Sequence, residues 1–175
     1  AAWIKPDAAD GVVLSRAGSG DQGEVGWGLY LEEGKLRFNM STRVLDDGVA
    51  AETVEPVRLG EWQHVVVAYD ASLTPEGVRI YIDGQVQAQT GLNDLVGNRL
   101  RVRGFPLRIG ASGSDKPRFR GVIDEVRIYR GALSPAEAAV AAEVTSLSAI
   151  VAIPTAQRSE AQADKLRMAF LDQYA

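Results

Sequence analysis

No cysteine occurs among the 175 residues. Disulfides, thiol nucleophiles and thiolate metal sites are therefore excluded together. Histidine is nearly as scarce, with His64 the single one, so imidazole chemistry would have to be built at that position. No apolar run approaches the roughly 20 residues of a membrane-spanning helix, and no signal-peptide pattern is visible. An excess of positive charge is also lacking. The formal net charge is −4 and the 19 basic residues are scattered, which gives no general attraction for nucleic acid or an anionic membrane. Hydrophobic residues make up 46% of the chain, enough for a core, and the length suits one domain with an appendage. The first residues, Ala1-Ala2-Trp3-Ile4, already read as a strand, as expected of a segment of a longer protein.

From Ala1 to about Arg130 the pattern is all-β: short alternating segments between Gly, Asp, Asn and Pro turns. In Gly26–Glu32, Trp27, Leu29 and Leu31 share a face. In Lys35–Ser41, Leu36, Phe38 and Met40 do, with Lys35, Arg37 and Asn39 opposite. Glu32-Glu33-Gly34 reads as the hairpin turn between them. Trp62–Asp70 is more continuously apolar, as a central strand buried on both faces would be. Val78–Asp83 alternates and Asp83-Gly84 turns into Gln85–Gln89. Leu107–Gly110 and Gly121–Tyr129 close the set. Seven or more such strands predict a β-sandwich or jelly roll over residues 1–133.

At Ser134 the character changes. Ser134-Pro135-Ala136-Glu137 is a capping box, and Val140, Val144, Leu147 and Val151 follow a helical stripe that Pro154 interrupts. Ser159 with Gln162 caps a second helix lined by Ala163, Leu166, Phe170 and Tyr174. Residues 134–175 therefore read as a helical linker or docking segment outside the sandwich.

Three groups of residues carry a family likeness. Ala2-Trp3-Ile4-Lys5-Pro6 is the first. Leu59-Gly60-Glu61-Trp62-Gln63-His64-Val65, with Tyr69-Asp70 and Tyr81-Ile82-Asp83-Gly84, is the second. The third is Leu107-Arg108-Ile109-Gly110 with Ile123-Asp124-Glu125-Val126-Arg127-Ile128-Tyr129 and Ala132-Leu133-Ser134. In this order and spacing they resemble the laminin-G-like domains of concanavalin A-like jelly-roll type, from Ala2 to about Ala142. Gly26-Trp27-Gly28-Leu29-Tyr30-Leu31, Leu45-Asp46-Asp47 and Arg118-Phe119-Arg120-Gly121 resemble in particular the domain embedded in large planctomycete surface proteins that also carry cytochrome-c-like domains. That resemblance implies a periplasmic or cell-surface setting. The family's usual first strand, upstream of the Ala2–Pro6 segment, has no counterpart, so one sheet edge is expected to be open or filled by another segment.

Few residues propose chemistry. His64 has neither a nucleophile nor an orienting group near it in sequence and reads as structural. Glu32-Glu33, Asp46-Asp47 and Asp124-Glu125 are adjacent pairs, which on a strand point to opposite faces. None is a ready pair for glycoside hydrolysis. Asp124 falls in phase with Val122, Val126 and Ile128, where an ionised carboxylate needs donors or a cation. The resemblance implies a calcium site there, Asp124 joined by backbone carbonyls near Pro6, Asp7 and Gly34. Trp3, Trp27 and Trp62 fall in phase with strand apolars and are assigned to the core. Tyr30, opposite Trp27, is the aromatic expected to be exposed. Arg43, Asp46, Asp47, Asp115 and Arg118 in two loops are the polar ligand-binding candidates. Ala111–Lys116 leads into no helix and is no phosphate loop. Arg99–Arg103, without interleaved aromatics, reads as a solvated strand face and no nucleic-acid patch.

The sequence thus suggests a non-catalytic module for polysaccharide within a larger exported protein, with calcium as the one cofactor the resemblance implies. The alternative is a structural domain that docks a neighbouring protein, and a glycoside hydrolase is third.

Overall fold

A computed structural model describes residues 1–20, 23–43, 47–93 and 104–174. Eleven strands form two antiparallel sheets within these residues. The first sheet holds β1 (Ala2–Pro6), β6 (Gln63–Tyr69), β7 (Val78–Ile82), β8 (Gln85–Val86) and β11 (Gly121–Asp124), in the order β11-β1-β6-β7-β8. The second holds β2 (Gly11–Gly20), β3 (Gly23–Glu32), β4 (Lys35–Arg43), β5 (Asp47–Thr53), β9 (Gln89–Asn93) and β10 (Arg108–Ile109), in the order β10-β2-β3-β4-β5-β9. The sandwich expected from the alternation is therefore present.

Its core lies where period-two patterning places it. Leu29 and Leu31 of β3 and Leu36 and Phe38 of β4 meet Ile4, Val65, Val78 and Ile80 of the facing sheet, with Trp27 and Met40 packed at the margin. The β3–β4 and β7–β8 hairpins turn on Glu33-Gly34 and Asp83-Gly84. All four residues have positive φ (53°, 80°, 50° and 75°), as a two-residue turn matched to the strand twist requires. β6 lies between β1 and β7 and is buried along most of its length.

Several details depart from the sequence reading. Trp62 precedes β6 and is 43% exposed, so it is not a core residue. Trp3 shares its face with Lys5, while Ala2, Ile4 and Pro6 point inward. The strand expected over Gly121–Tyr129 ends at Asp124, because Glu125 takes φ 47°. At the edge expected to be open or filled by another segment, β1 is paired on both sides, by β11 and by β6. Residues 94–103, including the arginine-rich stretch, lie outside the described residues.

The tail folds into three helices rather than two: α1 (Pro135–Ala142), α2 (Leu147–Ala152) and α3 (Glu160–Tyr174). The capping box at Ser134 forms as expected, Glu137 Oε2 accepting from the Ser134 amide at 2.8 Å. Ser159 and Gln162 cap α3 reciprocally. The single stripe through Val151 does not hold. The chain breaks at Glu143, Ser146 caps a new helix, and Val144 and Val151 are 74% and 62% exposed. In α3 the stripe from Ala163 to Phe170 is largely solvent-facing, Leu166 alone of its apolar members being half-buried.

The first of the three helices packs on the sandwich. α1 lies on the outer face of the five-stranded sheet, where Ala138 is fully buried against Val66, Ala68 and Tyr81. Gly84 makes that approach possible, since a Cβ there would lie 2.9 Å from the Ala139 Cα. Lys165 of α3 donates to the carbonyls of Glu143 and Thr145 at 2.6 and 2.9 Å. A cation at a helix C-terminal turn is favourable there, and it ties α3 to α1.

Candidate functional site

The outer faces of the two sheets carry different arrangements of side chains. On the six-stranded sheet, residues 111–118 form a strap across β2 and β3. The Ser15 hydroxyl donates to the Ala111 carbonyl at 2.8 Å, and the Val12 amide donates to the Pro117 carbonyl at 3.0 Å. The Glu24 carboxylate gathers hydroxyls from both sides. It accepts from Tyr30 and Ser114 at 2.8 Å each, and from Ser112. Lys116 bonds Glu32 at 2.7 Å, and its ammonium stands 4.7 Å above the Tyr30 ring, a cation–π contact. Arg37 bonds Glu32 from the other side. Burial alone would raise the Glu32 pKa, but the bonds and charges of Lys116 and Arg37 outweigh it and hold the group below its ordinary value.

Tyr30 is the clearest correction. It is only 2% exposed, and so is no stacking platform. Its ring lies along the strand over Gly28, where a Cβ would fall 2.3 Å from the Tyr30 Cζ, and Lys116 roofs it. Burial, reinforced by the Glu24 charge, raises the phenol pKa far above its usual range.

The five-stranded sheet offers a different geometry. Between its β1–β11 edge and helices α1 and α3 runs a groove of about 530 Å³. Trp3 and Tyr129 line it together with Glu125, Arg127, Glu137 and Lys165. Trp3 is half-buried and rests on the His64 ring, centroids 5.2 Å apart and tilted by 54°. Tyr129 is 42% exposed. Every carboxylate in the groove has a bonding partner. Glu125 pairs with Arg127. Bonds from the Ser134 amide and hydroxyl lower the Glu137 pKa. A bond from Thr145 lowers that of Glu143, helped by the Lys165 charge. Aromatic faces among hydrogen-bonded carboxylates suit a ligand rich in hydroxyls and C–H faces.

His64, under Trp3, is 2% exposed and its Nδ1 has no hydrogen-bond partner. Burial, with the charges of the N-terminal ammonium and then Arg127 adding to it, lowers its pKa to about 4.

The residues expected to bind ligand are not brought together. Asp115 and Arg118 are exposed on the strap, and Arg43 and Asp47 face each other across the β4–β5 connection in backbone register only. Asp46 lies outside the described residues. Asp124 is exposed rather than on an apolar face. Ile123 and Val126 are the core-facing residues of that segment, while Val122 and Ile128 are 50% and 58% exposed. Its Oδ1 accepts from the Glu125 amide at 2.7 Å. The Pro6 and Gly34 carbonyls accept from the amides of Gly60 and Val57, and the Asp7 amide donates to the Arg120 carbonyl. The burial that motivated a cation at Asp124 is therefore absent. Trp3 was missed because strand phase assigned it to the core, and the helix residues because the tail was read as a linker or docking segment outside the sandwich. The pairing of Trp3 with Lys5 in strand phase was the available signal.

The comparisons follow the same outline. A laminin-G family model described as the concanavalin A-like lectin/glucanases superfamily matches residues 1–139, through most of α1. The chain is similar to the Adhesion G-protein coupled receptor V1 of Danio rerio, 27% identical over 138 residues. That match spans 75% of this chain and 2% of the receptor. Among solved structures it is similar to an S-layer domain-containing protein of Clostridium thermocellum at 21% identity and a TM-score of 0.36. The alignment covers 81% of this chain and 67% of that one. With most of its length matched by the family model and two antiparallel sheets of the required kind, the chain belongs to the concanavalin A-like lectin/glucanases superfamily, as a laminin-G-like domain.

Proposed function

We propose that this domain is a non-catalytic recognition module that binds carbohydrate in the groove between the β1–β11 edge and the C-terminal helices. The observation that carries the reading is the pair Trp3 and Tyr129 in one groove with hydrogen-bonded, ionised acceptors. Sugar C–H faces pack on aromatic rings, and fixed carboxylates accept from hydroxyls.

The same carboxylates argue against hydrolysis. Glycosidic cleavage needs an acid whose pKa is raised so that it holds a proton near neutrality. Glu137 and Glu143 are shifted the opposite way, and Glu125 is paired with Arg127. The exported, surface-protein setting implied by the planctomycete resemblance belongs to the same proposal, as does polysaccharide as the ligand class. Calcium is not required by it.

Affinity electrophoresis against neutral, acidic and sulfated polysaccharides tests the reading. Retardation by one class, abolished in Trp3→Ala and Tyr129→Ala, is the expected result. Mobility unchanged in every gel would overturn it.

One observation favours a second reading, docking of a neighbouring protein. Val144, Leu147, Val151 and Leu171 of the helical segment are all more than 40% exposed. If size-exclusion chromatography with light scattering shows a monomer at high concentration and no association with adjoining domains of the parent protein, that reading falls.

A further inference from the structure

Core residues in the middle of the sandwich are sealed: Ile4, Leu36, Val65 and Ile80 have no exposed surface. At one end the seal is incomplete. Leu14, Leu29 and Phe38 are each 8% exposed, and Trp27, Val67 and Tyr69 are only partly buried. These six side chains, drawn from both sheets, line a cleft of about 240 Å³ between the sheets.

The inner walls are apolar but for the Trp27 indole N–H and one hydroxyl, and Ala1, whose ammonium donates to the Arg127 carbonyl at 2.8 Å, joins the lining. The one hydroxyl among the six, that of Tyr69, accepts from the Leu73 amide at 2.9 Å, and its ring meets Phe38 at 6.0 Å between centroids. The inner part of the space offers water few hydrogen bonds, and apolar cavities of about 150 Å³ are known to stay dry and take up single aromatic rings. The mouth is different. It is crossed by residues 127–131, which carry two guanidinium groups. Arg127 is engaged with Glu125, whereas Arg130 is exposed and makes no ion pair with any described residue.

We infer that the inter-sheet cleft is a binding site for a small apolar ligand carrying one anionic group, such as an aryl or short-chain alkyl carboxylate or sulfonate. The apolar body replaces the missing packing between Leu29, Phe38 and Val67, and the anion meets Arg130 at the rim. Residues 127–133 separate this cleft from the carbohydrate groove and contribute Arg127, Tyr129 and Leu133 to both. The two sites are distinct in ligand chemistry, and either can fail without the other.

The test is a titration with naphthalene-2-sulfonate and, in parallel, uncharged 2-naphthol, read by quenching of tryptophan fluorescence and by calorimetry. Both compounds are expected to saturate one site. Val67→Phe, which fills the cleft, is expected to weaken both at least tenfold while the circular dichroism spectrum is unchanged. If that variant does not fold, Leu29→Phe makes the same test from the opposite sheet. Arg130→Gln is expected to weaken the sulfonate about fivefold and leave 2-naphthol unaffected. The inference is overturned if neither compound saturates at millimolar concentration, if binding survives filling of the cleft, or if Arg130→Gln affects both compounds equally.

Discussion

His64 packs beneath Trp3 with an unpartnered Nδ1 and a pKa lowered to about 4 by burial. In the unfolded chain the same imidazole titrates near 6.5. Between these values the unfolded state takes up a proton that the native state refuses, so stability falls as pH is lowered from 6.5 toward 4. The full loss is about 3 kcal/mol, and it is absent above pH 7. Urea unfolding of the wild type and of His64→Phe across pH 4.5–7.5 checks this. The wild-type midpoint should drop more steeply, and the difference between the curves should level off above neutrality. Parallel curves would show that His64 is not the group involved. At Asp124 the expectation runs the other way. Its side chain is exposed and bonded only to the next amide, so Asp124→Asn should change stability by no more than about 0.5 kcal/mol. Millimolar calcium should leave the melting temperature of both proteins where it was.

At the scale of elements, the helical segment depends on a few local devices. Removing the cap with Ser134→Ala should cost about 1 kcal/mol, measured by chemical denaturation. Gly84→Val should cost more, because it adds a side chain at φ 75° and drives it toward Ala139. A loss of about 2–3 kcal/mol is expected, together with protease sensitivity of the segment after Leu133. Stability within error of the wild type would mean that α1 does not rest on the β7–β8 turn. These devices also mark how far the sequence could be read. The β3–β4 and β7–β8 hairpins were legible because alternation and turn chemistry are local, and so were the caps at Ser134 and Ser159, though not the one at Ser146. The docking of α1 was not. Ala138 is a small residue whose burial depends on Val66, Ala68 and Tyr81, all more than fifty positions away. Tyr30 failed for a similar reason: alternation put it correctly on the outer face, but the strap that covers it comes from residues 111–118. The groove was the least legible feature, since Trp3 and Lys165 lie at opposite ends of the chain.

Over the whole molecule, the sandwich and α1 pack as one unit, because α1 covers an apolar patch that the sheet would otherwise show to water. A chain ending at Leu133 would bare Val66, Ala68 and Tyr81, and lose one wall of the groove. It should aggregate at concentrations where the full chain stays dispersed, as dynamic light scattering would show. The account's central claim is that recognition resides in the groove these two parts form together. The most direct measurement is a two-dimensional amide and indole NMR titration of the labelled full chain with whichever polysaccharide fragment retards it in the gels. The Trp3 indole and the amides of Glu125–Arg130 and Glu137–Val144 should shift together and saturably. Shifts confined to the 111–118 strap and the outer face of β4 and β5, with the Trp3 indole unmoved, would contradict the claim.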